Sequence, residues 1–191
     1  VIFIKTSISE KNRTLKIMHM PPRWFRFLII LVFSFIFIIK LKNIMQKFIG
    51  GMGCFWDETK YEGIPGVTST ECGYCGGKNQ TVSYEQVCGG NTEHVEVVKV
   101  EFDPKIISYE EVTKLFFKFH DPTTLDRQGP NVGYQYRSEI FYNTDEEKLI
   151  AEKILKEVNK KLNGKVVTKI SEEKNYCKAE EYHQKYFQKN H

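Results

Sequence analysis

The sequence predicts an α+β fold, and three observations carry that reading. His94 to Phe102 alternates and is rich in valine, the pattern of a strand. Ser108 to Phe119 and Thr144 to Leu162 repeat their apolar residues at helical spacing. Glycine, proline and Asp-Pro breaks separate these segments at short intervals.

Taken in order, Phe48 to Gly53 reads as a strand running into a glycine-rich turn. Asp57 to Glu62 reads as a short helix ended by Gly63-Ile64-Pro65-Gly66, and Val67 to Tyr74 as a strand. Ser83-Tyr84-Glu85-Gln86 and Ser108-Tyr109-Glu110-Glu111 are capping boxes, so a helix should start at each. The second helix presents Val112, Leu115, Phe116 and Phe119 on one face. A polar loop from Thr123 to Gly133 leads to a strand expected over Gln135 to Tyr142. The helix from Thr144 should bury Leu149, Ile150, Ile154 and Val158, end at Gly164, and precede a last strand over Val166 to Ile170. This order predicts a ferredoxin-like plait, a mixed sheet with helices packed on one face, followed by an irregular C-terminal tail.

Residues 1–44 stand apart. They hold eight Lys or Arg against Glu10, a net +7, which leaves −3 for residues 45–191 of the +4 total. A slightly acidic main domain argues against nucleic acid as partner. The apolar run Phe27 to Ile39 is 13 residues, short of the about 20 that span a bilayer as a helix. Two readings stay open: a membrane anchor or signal, or upstream sequence translated ahead of a start at Met45. Membrane association is expected only under the first. Residues 45–191 form the single catalytic domain in either case, expected to be a cytoplasmic monomer. The five cysteines, an odd number at irregular spacing, fit thiols in a reducing compartment better than a disulfide scaffold.

The strongest chemical signal is Gly53-Cys54-Phe55-Trp56. A cysteine at a strand-to-helix junction meets converging N–H groups and a positive helix end, which favour the nucleophilic thiolate. Phe55 and Trp56 beside it can form an apolar pocket. An inert buried cysteine among core aromatics explains the four residues alone equally well. Cys72-Gly73-Tyr74-Cys75 also reads as half a zinc site or a redox pair, although the chain shows no second pair at suitable spacing.

Ten segments in register go further. Gly53-Cys54-Phe55-Trp56, Gly73-Tyr74-Cys75-Gly76-Gly77, Ser83 to Cys88, His94 to Val98 and Phe102-Asp103-Pro104 are among them. His120-Asp121-Pro122-Thr123-Thr124, Arg127-Gln128-Gly129, Gly133 to Ser138 and Ala179 to Gln184 follow. Together they resemble the A-type peptide methionine sulfoxide reductases over residues 47 to about 189. The resemblance implies thiol-dependent reduction of methionine-S-sulfoxide, free or in oxidised proteins, by attack of Cys54 on the sulfoxide sulfur. It implies Glu96 as the acid, Tyr84 and Tyr136 as hydrogen-bond donors to the oxygen, and Phe55 and Trp56 as the methyl pocket. The product at Cys54 is a sulfenic acid, recycled by thioredoxin or another thiol reductant. No cofactor and no metal is expected.

The chain also departs from the family pattern. Asn131 stands where an aspartate is usual, at a position expected to bind substrate, and Asp57 replaces a glycine. Asp57 would help the helix start and compete with a thiolate three residues away. For the resolving thiol, Cys177 is the first candidate and Cys75 the second, with direct reduction by an external thiol as the alternative. Cys88 is expected to be structural.

Overall fold

The structure is a computed structural model describing residues 45–53 and 55–190, without the side chains of Trp56 and Asn190. The apolar run at 27–39 and Cys54 lie outside the described residues. Among those described, no helix is long and apolar enough to cross a membrane.

The fold is α+β around a mixed six-stranded sheet. Its strands are β1 (Gln46–Gly51), β2 (Val67–Cys75), β3 (Val95–Phe102), β6 (Glu139–Tyr142), β7 (Lys169–Glu172) and β8 (Cys177–Lys178). The order is β7-β6-β1-β3-β2-β8, with β6 and β7 parallel and the remaining pairs antiparallel. A two-stranded hairpin of β4 (Arg127–Gln128) and β5 (Asn131–Val132) lies within the polar loop. The helices are α1 (Tyr84–Cys88), α2 (Tyr109–Phe119), α3 (Asp145–Lys161) and α4 (Tyr186–Asn190), with 3-10 helices at Phe55–Tyr61 and Tyr134–Tyr136.

β3 is central, and its alternation sorts residues onto two covered faces. Val98, Val100 and Phe102 join Phe48, Val112, Phe116, Ile140, Ala151 and Ile154 in the main core, so α2 and α3 cover this face together. Val95 and Val97 point the other way, into a smaller cluster with Ile49, Cys75 and Phe141. The capping boxes at Ser83 and Ser108 form as expected, each serine accepting the N3 amide while the N3 side chain returns the bond.

Four local expectations change. The segment from Gln135 does not start as a strand: the Tyr136 N–H bonds the Gly133 carbonyl at 2.9 Å, winding a 3-10 turn before β6 begins at Glu139. Leu149 is 66% exposed, whereas Ala151 is fully buried. Ala151 sits three residues before Ile154, on its face of the helix, and Leu149 five before it, off that face. The last long strand begins at Lys169, because the Val166 N–H goes to Asn159 Oδ1 and the Val167 N–H to the Pro122 carbonyl. The C-terminal tail is more regular than expected and adds β8 to the sheet edge beside β2.

Candidate active site

The site is built where the C-terminal ends of β1 and β2 and the N-terminal end of β3 come together. β1 leaves the sheet at Gly51, turns through Gly53 and enters the first 3-10 helix at Phe55. Gly53 has φ +89, a conformation open to glycine. A Cβ there would lie 2.1 Å from Gln128 Cβ, so the turn packs directly on the β4–β5 loop. Gln128 is itself fixed, accepting the Asp121 N–H at 3.1 Å and donating to the Asp121 carbonyl at 3.2 Å.

Beside this turn is a cavity of about 370 Å³. Phe55, Tyr84, Glu96, Asn131 and Tyr136 line it, so five expected site residues, distant in sequence, meet in one place. The placement of Cys54 and of the Trp56 side chain lies outside the described residues. Cys54 is joined by peptide bonds to Gly53 and Phe55, both at this turn.

Glu96 is 3% exposed, and its Oε1 is buried with no hydrogen-bond partner. Burial pushes its carboxyl up to about 8, because a charge there would lose water and gain no counterion. At neutral pH it therefore holds a proton it can give away. Tyr84 and Tyr136 lie within electrostatic reach of each other and of Glu96. Their phenols are held above the ordinary range, Tyr84 by its hydrogen bond to Cys88 and by burial, Tyr136 chiefly by burial. Both remain neutral O–H donors. The arrangement can deliver one proton and two hydrogen bonds to a single oxygen of a ligand, which is chemistry for polarising a weakly electrophilic centre.

The peptide methionine sulfoxide reductase family model matches residues 46–191. The chain belongs to this family. The MsrA reductase of Pelagibacter ubique is 59% identical over 146 residues, 76% of this chain and 99% of that protein. That of Methanococcus maripaludis strain C7 is 51% identical over 140 residues, 73% of this chain and 89% of that protein. Among solved structures, reduced Mxr1 from Saccharomyces cerevisiae superposes with a TM-score of 0.72 at 38% identity, covering 76% of this chain and 86% of that one. Mxr1 in complex with Trx2 matches with a TM-score of 0.54 at 28% identity, covering 72% and 82%.

The cavity wall includes residues that sequence reasoning passed over. His183 comes from the tail, its ring 4.4 Å from Phe55 and 4.7 Å from Tyr84 between ring centroids. Burial lowers its pKa, so the ring is neutral. Gln184 fixes this stretch by bonding both the N–H and the carbonyl of Cys72, each at 2.9 Å. The Lys185 N–H donates to the buried Glu58. Lys60, Phe119, Gly129 and Pro130 also line the cavity. Only the short Ala179 to Gln184 motif hinted at a role for the tail. Asp57, whose effect on a nearby thiolate depends on geometry, is answered by Lys60 at 2.7 Å.

The cysteines separate by face. Cys177 pairs with Tyr74 and Tyr74 with Glu96, and cross-strand partners point to the same side of a sheet. Cys177 therefore faces the Glu96 side, two strands away, half-buried and with its thiol pKa raised by burial. Cys75 is fully buried in the cluster on the opposite face, its thiol pushed up to about 12 by burial. Cys72 lies on the Glu96 face, so Cys72 and Cys75 diverge and cannot close on one metal ion. Cys88 is exposed rather than a packed structural residue, its thiol beside the Tyr84 hydroxyl.

Proposed function

We propose that this cavity binds methionine-S-sulfoxide and that Cys54, Glu96, Tyr84 and Tyr136 carry out its reduction. The chain is an oxidoreductase of the methionine sulfoxide reductase family, using thiols to return methionine sulfoxide to methionine. The observation that carries the site assignment is Glu96: a protonated, buried carboxyl with an unpartnered oxygen beside two phenols.

In this reading the Cys54 thiolate attacks the sulfoxide sulfur as Glu96 gives its proton to the oxygen, with Tyr84 and Tyr136 hydrogen-bonded to it. The oxygen then passes from the methionine sulfur to Cys54: an O–S bond to Cys54 forms as the S–O bond and the new S–S bond break, so methionine leaves and Cys54 is left as a sulfenic acid. A second thiol attacks that sulfur, water departs, and a disulfide forms. A dithiol reductant then restores both thiols. Phe55 and Trp56 receive the methyl group, and Asn131 hydrogen-bonds the substrate as a neutral group. Cys177 is preferred as resolving thiol, because it faces the Glu96 side while Cys75 faces away. Thioredoxin is the proposed reductant, supported by the complex of the related Mxr1 with Trx2. Residues 45–191 are taken as the catalytic domain, working as a monomer in the cytoplasm. The cysteine composition supports that reducing compartment.

Turnover of methionine-S-sulfoxide with a thioredoxin system tests the reading. Cys54→Ser should be inactive with any reductant. Full activity in that variant, or in Glu96→Gln, would overturn the assignment.

A further inference from the structure

The reduction chemistry leaves one charged pair on the cavity wall without a task. Asp57 and Lys60 both line the cavity, with Asp57 Oδ1 2.7 Å from Lys60 Nζ. Asp57 is 8% exposed, and burial raises its pKa more than Lys60 lowers it, so holding an ionised carboxylate here opposes stability rather than serving it. Both groups keep bonding capacity. Lys60 has three N–H donors, and its partners are Asp57 and the Phe119 carbonyl. The carboxylate offers about four lone-pair sites, with Lys60 on one of its oxygens. The other titratable groups on the wall are neutral near pH 7: Glu96 is protonated and His183 is uncharged. The described wall therefore presents one negative and one positive charge side by side.

A free amino acid carries the matching pattern, an ammonium and a carboxylate on one carbon, whereas a residue inside a polypeptide carries neither. We propose that the Asp57–Lys60 pair is the subsite for free methionine sulfoxide, Asp57 receiving the α-ammonium and Lys60 the α-carboxylate. The pair then sets by charge how the enzyme discriminates the free amino acid from a residue within a polypeptide. This rests on the reading that the cavity binds methionine sulfoxide, and its volume of about 370 Å³ falls in the range of small-molecule sites.

Four compounds separate the contributions: L-methionine-S-sulfoxide, its N-acetyl derivative, its amide, and the N-acetyl amide. They are assayed on the full chain with dithiothreitol as reductant. Asp57→Asn should raise KM for the two compounds that keep the ammonium about tenfold more than for the two that lack it, the worth of one charge-assisted hydrogen bond. Lys60→Met should do the same for the two that keep the carboxylate. Equal KM changes across all four compounds, or changes confined to kcat, would overturn the proposal. If Asp57→Asn folds poorly, Lys60→Met at its exposed position decides the matter alone. If the wild type reduces none of the four, the reading of the cavity fails first; if it reduces all four and the variants are blind to charge, the subsite alone fails.

Discussion

Glu180 holds Tyr84 in register with the cavity: its Oε1 accepts the Tyr84 backbone N–H at 2.8 Å, and its Oε2 accepts the Tyr74 hydroxyl at 2.8 Å. One tail carboxylate thus fixes the start of α1 against β2. Tyr84 keeps its place on the cavity wall only if that helix stays where it is.

Glu180→Ala should therefore act through Tyr84. It leaves a backbone N–H and a phenol without their acceptor, which costs about 1–3 kcal/mol in urea unfolding. It should also lower kcat more than it raises KM for methionine sulfoxide. Glu180→Gln keeps one acceptor oxygen and should recover part of both losses.

The pH dependence follows from Glu96. Because the protonated form donates, kcat/KM should fall as pH rises through about 8. Glu96→Gln should lose activity by about 10²–10⁴-fold and lose this limb of the profile. Stability carries the same sign. Between the ordinary carboxyl range and about 8 the folded state holds a proton that the unfolded state has released, so folding weakens as pH rises through that window. Thermal melts of Glu96→Gln should show a shallower decline across it.

Gly53→Ala tests the turn that carries Cys54. The added Cβ meets Gln128 Cβ at 2.1 Å, and φ +89 opposes any side chain. The variant should be destabilised by about 1–3 kcal/mol, measured by denaturation, and should lose most turnover because the 121–131 loop lines the cavity. Near-wild-type activity would mean that the turn and loop are not coupled.

The recycling route is resolved by comparing two reductants. Cys177→Ser should lose thioredoxin-supported turnover and keep turnover with dithiothreitol. Cys75→Ser, behind the sheet, should keep both. Loss of thioredoxin support in Cys88→Ser alone would move the resolving role to that exposed thiol.

The sequence alone determined the α+β class, the two capped helices, the Gly53 turn and five of the residues that line the cavity, because each is written in local spacing or in a motif. Capping boxes and strand alternation depend on neighbours a few positions away. Tertiary structure decided the rest. Leu149 carries an apolar side chain yet is left in water, because the face of α3 that meets the sheet is set by Ala151 and Ile154. Val166 to Thr168 look like strand but spend amides on Asn159 and Pro122. His183 reaches the cavity only because Gln184 and Lys185 bind the tail to Cys72 and Glu58, over 100 positions earlier. Such long-range bonds leave no periodicity to read, and neither does the meeting of Asp57 and Lys60 with Glu96 around one cavity.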